Sequence, residues 1–285
     1  MKRPLSVIFA GTPEFAVPAL KALINDPNIT VKMVITQPDM PVGRKQQVLP
    51  TPVKIAAQEA GIDVLQPKDI NTAYPTIDHD FLVVVAYGQL VKQHVLDAPK
   101  VAALNVHASL LPRWRGASPM QHSILHGDKT TGVTIQRMVR KLDAGPILGQ
   151  VVHNVRTQET IKTLHDTLST LGTDLLLHIL KNTPQEIEQD DAGVTLCHKL
   201  SRETGNVDPK TMDAATMNRA VRALVPWPGV RCHVLGEEVK LLETSLEPKD
   251  GSIELSCKNS VLHIVSLQPS GKKPMSGTDF MRGRT

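Results

Sequence analysis

Aromatic side chains are scarce: two Trp, two Tyr and four Phe make up 3% of 285 residues. That speaks against nucleic-acid binding by an aromatic platform on which bases stack. Cysteine is scarce too. Cys197, Cys232 and Cys257 are odd in number, widely spaced and without a CxxC pair. Neither a zinc ribbon nor a disulfide framework fits, and a reducing, cytoplasmic compartment is expected. There is no long apolar run. The longest, Phe81 to Ala86 (FLVVVA), falls far short of the about 20 residues a membrane helix needs, so no spanning segment is expected. The start, MKRPLSVIFAGTPEF, has a basic beginning but Pro13 and Glu14 end its short apolar run, which reads as a buried strand rather than a signal peptide. A large charge excess is also missing: 32 Lys and Arg face 28 acids, giving +4. That balance permits a polyanionic partner without demanding one. Gly11-Thr12-Pro13 follows a strand, but neither GxGxxG nor a P-loop is present, so nicotinamide or nucleoside-triphosphate chemistry has little support. Gly11 keeps two readings, a tight turn or a ligand contact.

What is present reads as two domains of ordinary globular composition, 41% hydrophobic and 21% charged. Apolar runs at Leu5 to Ala10, Val31 to Thr36, Phe81 to Ala86 and Ala102 to Val106 alternate with helical spacing at Phe15 to Ile24 and Pro52 to Gly61. Continuous apolar strands separated by helices predict a Rossmann-like, mostly parallel α/β sheet buried on both faces. Ligands of such sheets bind beyond the carboxyl ends of the strands. Gly11, Gln37, Tyr87, Gly88, Asn105 and His107 all fall there. Thr131 to Met138 and Pro146 to Val155 predict a hairpin at the sheet edge, and Ile161 to Leu180 an amphipathic helix that closes the domain. Lys181 to His198 is polar and acidic and reads as a linker or surface excursion. Beyond it, a helix at Met212 to Leu224 and short strands to Leu267 predict a smaller β-barrel of OB-like type. The expected division is a larger α/β domain at 1–182, a linker at 183–202 and a smaller domain at 203–285, which the resemblance described below makes a catalytic and an RNA-binding domain.

Chemistry concentrates in Asn105-Val106-His107-Ala108-Ser109-Leu110-Leu111-Pro112. Asn105 and His107 are two apart on a strand and share a face. An amide can donate to a developing oxyanion while an imidazole handles a proton. Asp143, in a turn before Gly145, is placed to orient His107. The bland alternative is a capped strand end and an Asx-turn.

These residues carry a resemblance. NVHASLLPRWRGASP, then GDKTTGVTIQRM and LDAG, resemble the 10-formyltetrahydrofolate-dependent formyltransferases, whose signature is Asn-x-His-x-Ser-Leu-Leu-Pro with a downstream Asp-x-Gly loop. VIFAGTPEFAVPAL, TQPDMPVGR, LPTPVK, VVVAYG, VRALVPWPG and SLQPSGKKPMSGTDFMRG extend it almost end to end. Within the family, the similarity is greatest to members that formylate methionine on initiator tRNA. The resemblance implies that Asn105, His107 and Asp143 form the catalytic trio. It implies that Ser109, Leu110, Leu111 and Pro112, with Val85, Ala86, Tyr87 and Gly88, bind 10-formyltetrahydrofolate. No metal is implied. Initiator methionyl-tRNA is the implied partner, for a monomer with no membrane and no obligate protein partner.

For RNA contact, Arg44 and Lys45 come from a loop that the resemblance expects to enter the acceptor end. Here Met40 replaces an arginine common among relatives, and Gln46-Gln47 interrupt a more basic run. Lys272 and Lys273 belong to the last 18 residues, where with Arg282 and Arg284 they face one acid, Asp279. That local surplus suits a phosphate backbone. Two rival readings remain: an N-formyltransferase acting on sugar nucleotides, and a non-catalytic RNA-binding module. An intact trio argues against the second.

Overall fold

The apolar runs of the first half become strands buried on both faces. In the computed structural model, which describes residues 3–42, 46–182 and 184–282, seven strands form one sheet. They are β1 (Leu5–Gly11), β2 (Ile29–Ile35), β3 (Val64–Leu65), β4 (Phe81–Val85), β5 (Ala102–His107), β6 (Thr130–Arg137) and β7 (Ile147–Asn154). Their spatial order is β7-β6-β5-β4-β1-β2-β3. The β1–β2, β1–β4, β2–β3 and β4–β5 ladders are parallel, and β6 runs antiparallel to β5. The expected doubly wound architecture is therefore present, with the hairpin strands at one edge.

Val7, Ile8, Phe9 and Ala10 have no exposed surface. Full burial of such a large apolar side chain contributes about 1.5–3 kcal/mol, so this strand anchors the sheet. Gly11 is explained by packing: a Cβ there would lie 2.8 Å from Phe9, 2.9 Å from Ala16 and 3.0 Å from the Val85 carbonyl. Helix α1 (Val17–Asn25) begins with Pro18 in its first turn, where the missing N–H costs nothing. Helix α2 (Pro52–Glu59) combines a proline start with a cap in which Thr51 Oγ1 accepts from the Lys54 N–H at 3.1 Å.

The chain divides into two compact units that are not simple consecutive segments. One contains Met1–Gly116, Thr131–His153 and His165–Leu196. The other contains Ala117–Thr130, Asn154–Leu164 and Cys197–Thr285. In the first unit, Gly172 of the long helix Ile161–Asn182 lets that helix approach the sheet. A Cβ there would lie 3.1 Å from both Val106 and Val133. Val106 and Ile135 pair across β5 and β6, and the alternation of a strand turns Asn105, His107, Thr134 and Gln136 to the opposite face.

The second unit is antiparallel and β-rich. Strands Val230–Val234, Glu237–Ser245, Ser260–Pro269 and Ile253–Cys257 pair in that order, and Met275–Ser276 adds to Ser260–Pro269. Helix Ala214–Leu224, capped by the Asp213 carboxylate accepting from Thr216 N–H at 2.7 Å, buries Met217, Ala220, Val221 and Leu224. Among the described residues no helix is long and apolar enough to cross a membrane, and no group of three or more His, Cys, Asp or Glu is placed to hold a metal ion.

A buried carboxylate ties the start of β4 to the N-terminal segment. Arg3 donates twice to Asp80, at 2.6 and 2.9 Å, and the Ser6 N–H and hydroxyl each donate at 2.8 Å. The Arg3 hydrogen bonds, with those from Ser6, hold the Asp80 carboxyl well below the usual carboxylate range, against a desolvation that opposes them. An Asp depressed in this way adds stability above its unfolded value of about 3.9, and loses it as pH falls toward the lower folded value. The stability gap between wild type and Asp80→Asn is expected to narrow as pH drops from about 5 to about 3. Urea midpoints across that range test this, and a gap independent of pH would contradict it.

Candidate active site

The site grows from the register of β5 and β6. Asn105 pairs with Gln136 and His107 with Thr134, so four polar side chains stand together on one face. Asp143 reaches them from the turn after β6. Its Oδ1 accepts from Asn105 Nδ2 at 3.2 Å and from Gln136 Nε2 at 3.0 Å, and its Oδ2 from the Gly116 N–H at 2.9 Å. Asp143 and Trp114 both adopt left-handed backbone, with φ of 50° and 61°. Non-glycine residues at such angles carry local strain and gather at functional sites. The surrounding hydrogen bonds hold the turn in this form.

His107 is buried. Its Nε2 donates to the Trp114 carbonyl at 2.9 Å. A carbonyl can only accept, so Nε2 carries a hydrogen and the exchangeable position is Nδ1. Nδ1 lies 3.7 Å from Asp143 Oδ1, with both side chains under a tenth exposed. That is an ion-pair distance for a protonated ring, longer than a hydrogen bond.

The segment after His107 is locked from several sides. Ser109 Oγ donates to the Arg113 carbonyl at 2.6 Å, and Thr134 Oγ1 donates to the Ser109 carbonyl at 2.7 Å. The Leu111 N–H donates to Thr134 Oγ1 at 3.0 Å, and Gln150 Nε2 donates to the Leu111 carbonyl at 2.8 Å. The Leu111–Pro112 peptide is cis. Leu111 is buried, while Leu110 and Pro112 remain half-buried. The Ser109 hydroxyl thus shapes the loop.

Val85 pairs with Val106 across β4 and β5, which sets residues 85–88 beside the Asn105–His107 strand end. Ala86 and Gly88 are exposed with φ of 47° and 93°. The Tyr87 side chain turns away into the hydrophobic core with Ile8, Ile35, Leu82 and Val95. Burial pushes its hydroxyl up to about 12. Its carbonyl accepts from Thr12 Oγ1 at 2.8 Å and Gln37 Nε2 at 3.2 Å. These bonds join the carboxyl ends of β1, β2 and β4, which is what Thr12 and Gln37 do in this fold.

Lys272 and Lys273 lie in the other unit, exposed in a turn where the Lys272 N–H donates to the Pro269 carbonyl at 3.1 Å. Arg44 and Lys45 lie outside the described residues. Flanking them, Met40–Val42 and Gln47–Leu49 form a short hairpin with Met40 and Val48 well exposed.

Sequence reading missed Gln136, Arg115 and Gln189. Gln136 had a signal, since Thr134 and Gln136 alternate with Val133 and Ile135. Gln189 had none. It sits in the stretch read as a linker, which is tied to the sheet edge: Ile147 and Ile187 exchange N–H to carbonyl bonds at 2.7 and 2.9 Å, and Arg137 pairs with Glu186. Gln189 Nε2 then donates to the carbonyls of Asp143 at 2.9 Å and Gly145 at 2.7 Å.

An amide, an imidazole and a carboxylate converge at the carboxyl end of a doubly wound sheet, as in enzymes that move an acyl group through a tetrahedral adduct. The comparisons with known proteins agree. The Formyl transferase family model matches residues 4–180, and the Formyl transferase C-terminal domain model matches residues 199–285. The chain belongs to the formyl transferase family. It is 39% identical over 299 residues to a methionyl-tRNA formyltransferase of Halorhodospira halophila, covering 98% of this chain and 96% of that one. Among solved structures it resembles an N-formyltransferase from Helicobacter canadensis in complex with folinic acid and dTDP-3-aminofucose, with TM-score 0.70, 17% identity and coverage of 93% of this chain and 99% of that one. It also resembles HypX from Aquifex aeolicus, with TM-score 0.66 and 15% identity over 99% of this chain. It spans only 48% of that longer protein. At these identities the two structures speak for the fold alone.

Proposed function

We propose that this enzyme transfers the formyl group of 10-formyltetrahydrofolate to the α-amino group of methionyl initiator tRNA in the cytoplasm. The observation that carries the reaction type is the convergence of Asn105, His107 and Asp143. The acceptor follows the relative that matches nearly full length. The folate-type donor suits the strand end at Ala86 and Gly88, where side chains are minimal and main chain is exposed, next to half-buried Leu110 and Pro112. A flat heterocycle packs on apolar side chains with backbone donors and acceptors along its edge.

In this reading the uncharged amine attacks the formyl carbon and the carbonyl electrons move onto oxygen. Asn105 donates to that oxyanion through the amide hydrogen not engaged with Asp143, and protonated His107 assists. Asp143 supports His107 and positions the proton path. Collapse reforms the carbonyl and breaks the bond to N10 of the folate. The amine's proton ends on that nitrogen, giving formylamide and tetrahydrofolate. No covalent enzyme intermediate is needed, since the Ser109 hydroxyl donates to the Arg113 carbonyl, which is not a base that could take its proton.

Formylation of charged initiator tRNA by the purified protein with 10-formyltetrahydrofolate tests the assignment. An amino-sugar nucleotide serves as rival acceptor. Transfer to the sugar nucleotide and none to tRNA would overturn the acceptor while keeping the reaction type.

The RNA grip belongs, in this proposal, to residues 203–285, with Lys272 and Lys273 among the phosphate contacts. Their exposure supports it. Each phosphate contact steepens the fall of log affinity with log salt by roughly 0.7–0.9. Replacing both lysines with Ala is expected to flatten the salt dependence of tRNA binding by about two contacts and to leave folate binding unchanged. An unaltered slope would leave the pair as a solvated turn.

A further inference from the structure

We infer that Gln189 is a positioning residue for the reaction, acting through Asp143. This rests on the reading of Asp143 given above and adds a residue from a different part of the chain. The amide of Gln189 is used from both ends. Its Nε2 faces the carbonyls of Asp143 at 2.9 Å and Gly145 at 2.7 Å, and Gln136 Oε1 at 3.3 Å. Its Oε1 accepts from Arg115 Nε at 3.0 Å and Nη2 at 2.8 Å.

A short strand and a turn meet through this one side chain. The first carries Arg115 and, next to it, Gly116, whose N–H holds Asp143 Oδ2. The second is the Asp143–Gly145 turn, in which Asp143 has left-handed backbone. That turn also has no slack at its far end, because a Cβ on Gly145 would lie 1.9 Å from the Arg137 carbonyl. Gln189 therefore fastens the short strand that donates to the carboxylate to the turn that bears it. It also touches Gln136, which donates to the other carboxylate oxygen.

Asp143 Oδ1 stands 3.7 Å from His107 Nδ1, so a small shift of the turn changes how the carboxylate meets the imidazole. Misplacing a catalytic group by about 1 Å can cost about 100-fold in rate. The chemistry of position 189 is specific. It needs two N–H donors toward carbonyls and one acceptor toward a guanidinium, a set that an amide supplies in one side chain. Glutamate would keep the shape and the acceptor but lose both donors.

The test is a double-mutant cycle on the full chain, with steady-state formylation of charged tRNA as readout. Gln189→Ala and Gln189→Glu are each expected to lower the turnover number by about 10- to 100-fold, with the Michaelis constant for 10-formyltetrahydrofolate within about two-fold of wild type. On an Asp143→Asn background, adding either change is expected to cost nothing further, because the residue acts through a group already removed. The isosteric glutamate variant keeps the test valid if the alanine variant unfolds, and thermal melts check both. Losses that multiply in the double variant, or a wild-type turnover in Gln189→Glu, would overturn the inference. A wild-type turnover in Asp143→Asn alone would overturn the reading of Asp143 and the inference with it. That failure is visible in the single variant, without reference to Gln189.

Discussion

Asn105→Ala is expected to lower the turnover number by about 100- to 1000-fold, equivalent to about 3–4 kcal/mol of barrier for the loss of one oxyanion donor. The size of the effect follows from what the substitution spares. Asp143 would keep its bonds from Gln136 and from the Gly116 N–H, so the carboxylate stays in place. The backbone ladder opposite Gln136 is unaffected by a change of side chain. Asn105 is only half-buried, so no sealed cavity is left. The residues assigned to the folate, Ser109 to Pro112 and Val85 to Gly88, are not touched. The affinity for 10-formyltetrahydrofolate is therefore expected to stay near wild type while turnover collapses. Single-turnover and steady-state rates separate the two. An Asn105→Ala enzyme with unchanged turnover would remove the amide from the mechanism.

His107→Ala is expected to cost about 100- to 10,000-fold, the range for a positioned acid or base, and to simplify the pH dependence. The wild-type rate is expected to be bell-shaped, because the imidazole must be protonated while the substrate amine is free. Since Nε2 is held by the Trp114 carbonyl, the proton that matters enters and leaves at Nδ1, on the Asp143 side. Removing the ring should erase the limb that this proton produces and leave the limb of the amine. It also removes the buried hydrogen bond that His107 Nε2 gives the Trp114 carbonyl, a contribution of about 0.5–1.5 kcal/mol. Thermal melts of the variant must accompany the rates, so that lost fold is not read as lost chemistry. Both limbs surviving in a folded His107→Ala enzyme would place the titrating groups elsewhere.

Much of the sheet is legible in the chain. Strands buried on both faces must be apolar at every position, so Val7 to Ala10 and Phe81 to Val85 stand out without any tertiary information. The spacing of Asn105 and His107 is equally direct, because a strand returns every second residue to one face. The same rule, applied to Thr134 and Gln136, would have brought Gln136 into the candidate site. Alternation shows which residues share a face, and not which strand lies opposite.

Gly11 shows the other limit. A glycine after a strand is compatible with a turn or with a ligand, and only the distances to Phe9, Ala16 and Val85 decide for close packing. Tyr87 is similar. Its place at a strand end is readable, but the rotation that sends its ring into the core while its carbonyl accepts from Thr12 and Gln37 is a matter of packing.

By itself the sequence determined the mostly parallel sheet, the short strands of a smaller second domain and the pairing of an amide with an imidazole at a strand end. Each follows from local periodicity, which a chain carries along its own length. Only the tertiary structure decided that residues 117–130 and 154–164 pack with the second unit, that the Gly116 N–H clamps Asp143, and that Gln189 reaches the turn from a stretch with no apolar pattern. Those contacts join residues 27 to 46 positions apart. They depend on where a polar loop is laid down, and a loop with neither a helical nor a strand period leaves no mark in the sequence of the partner it will meet.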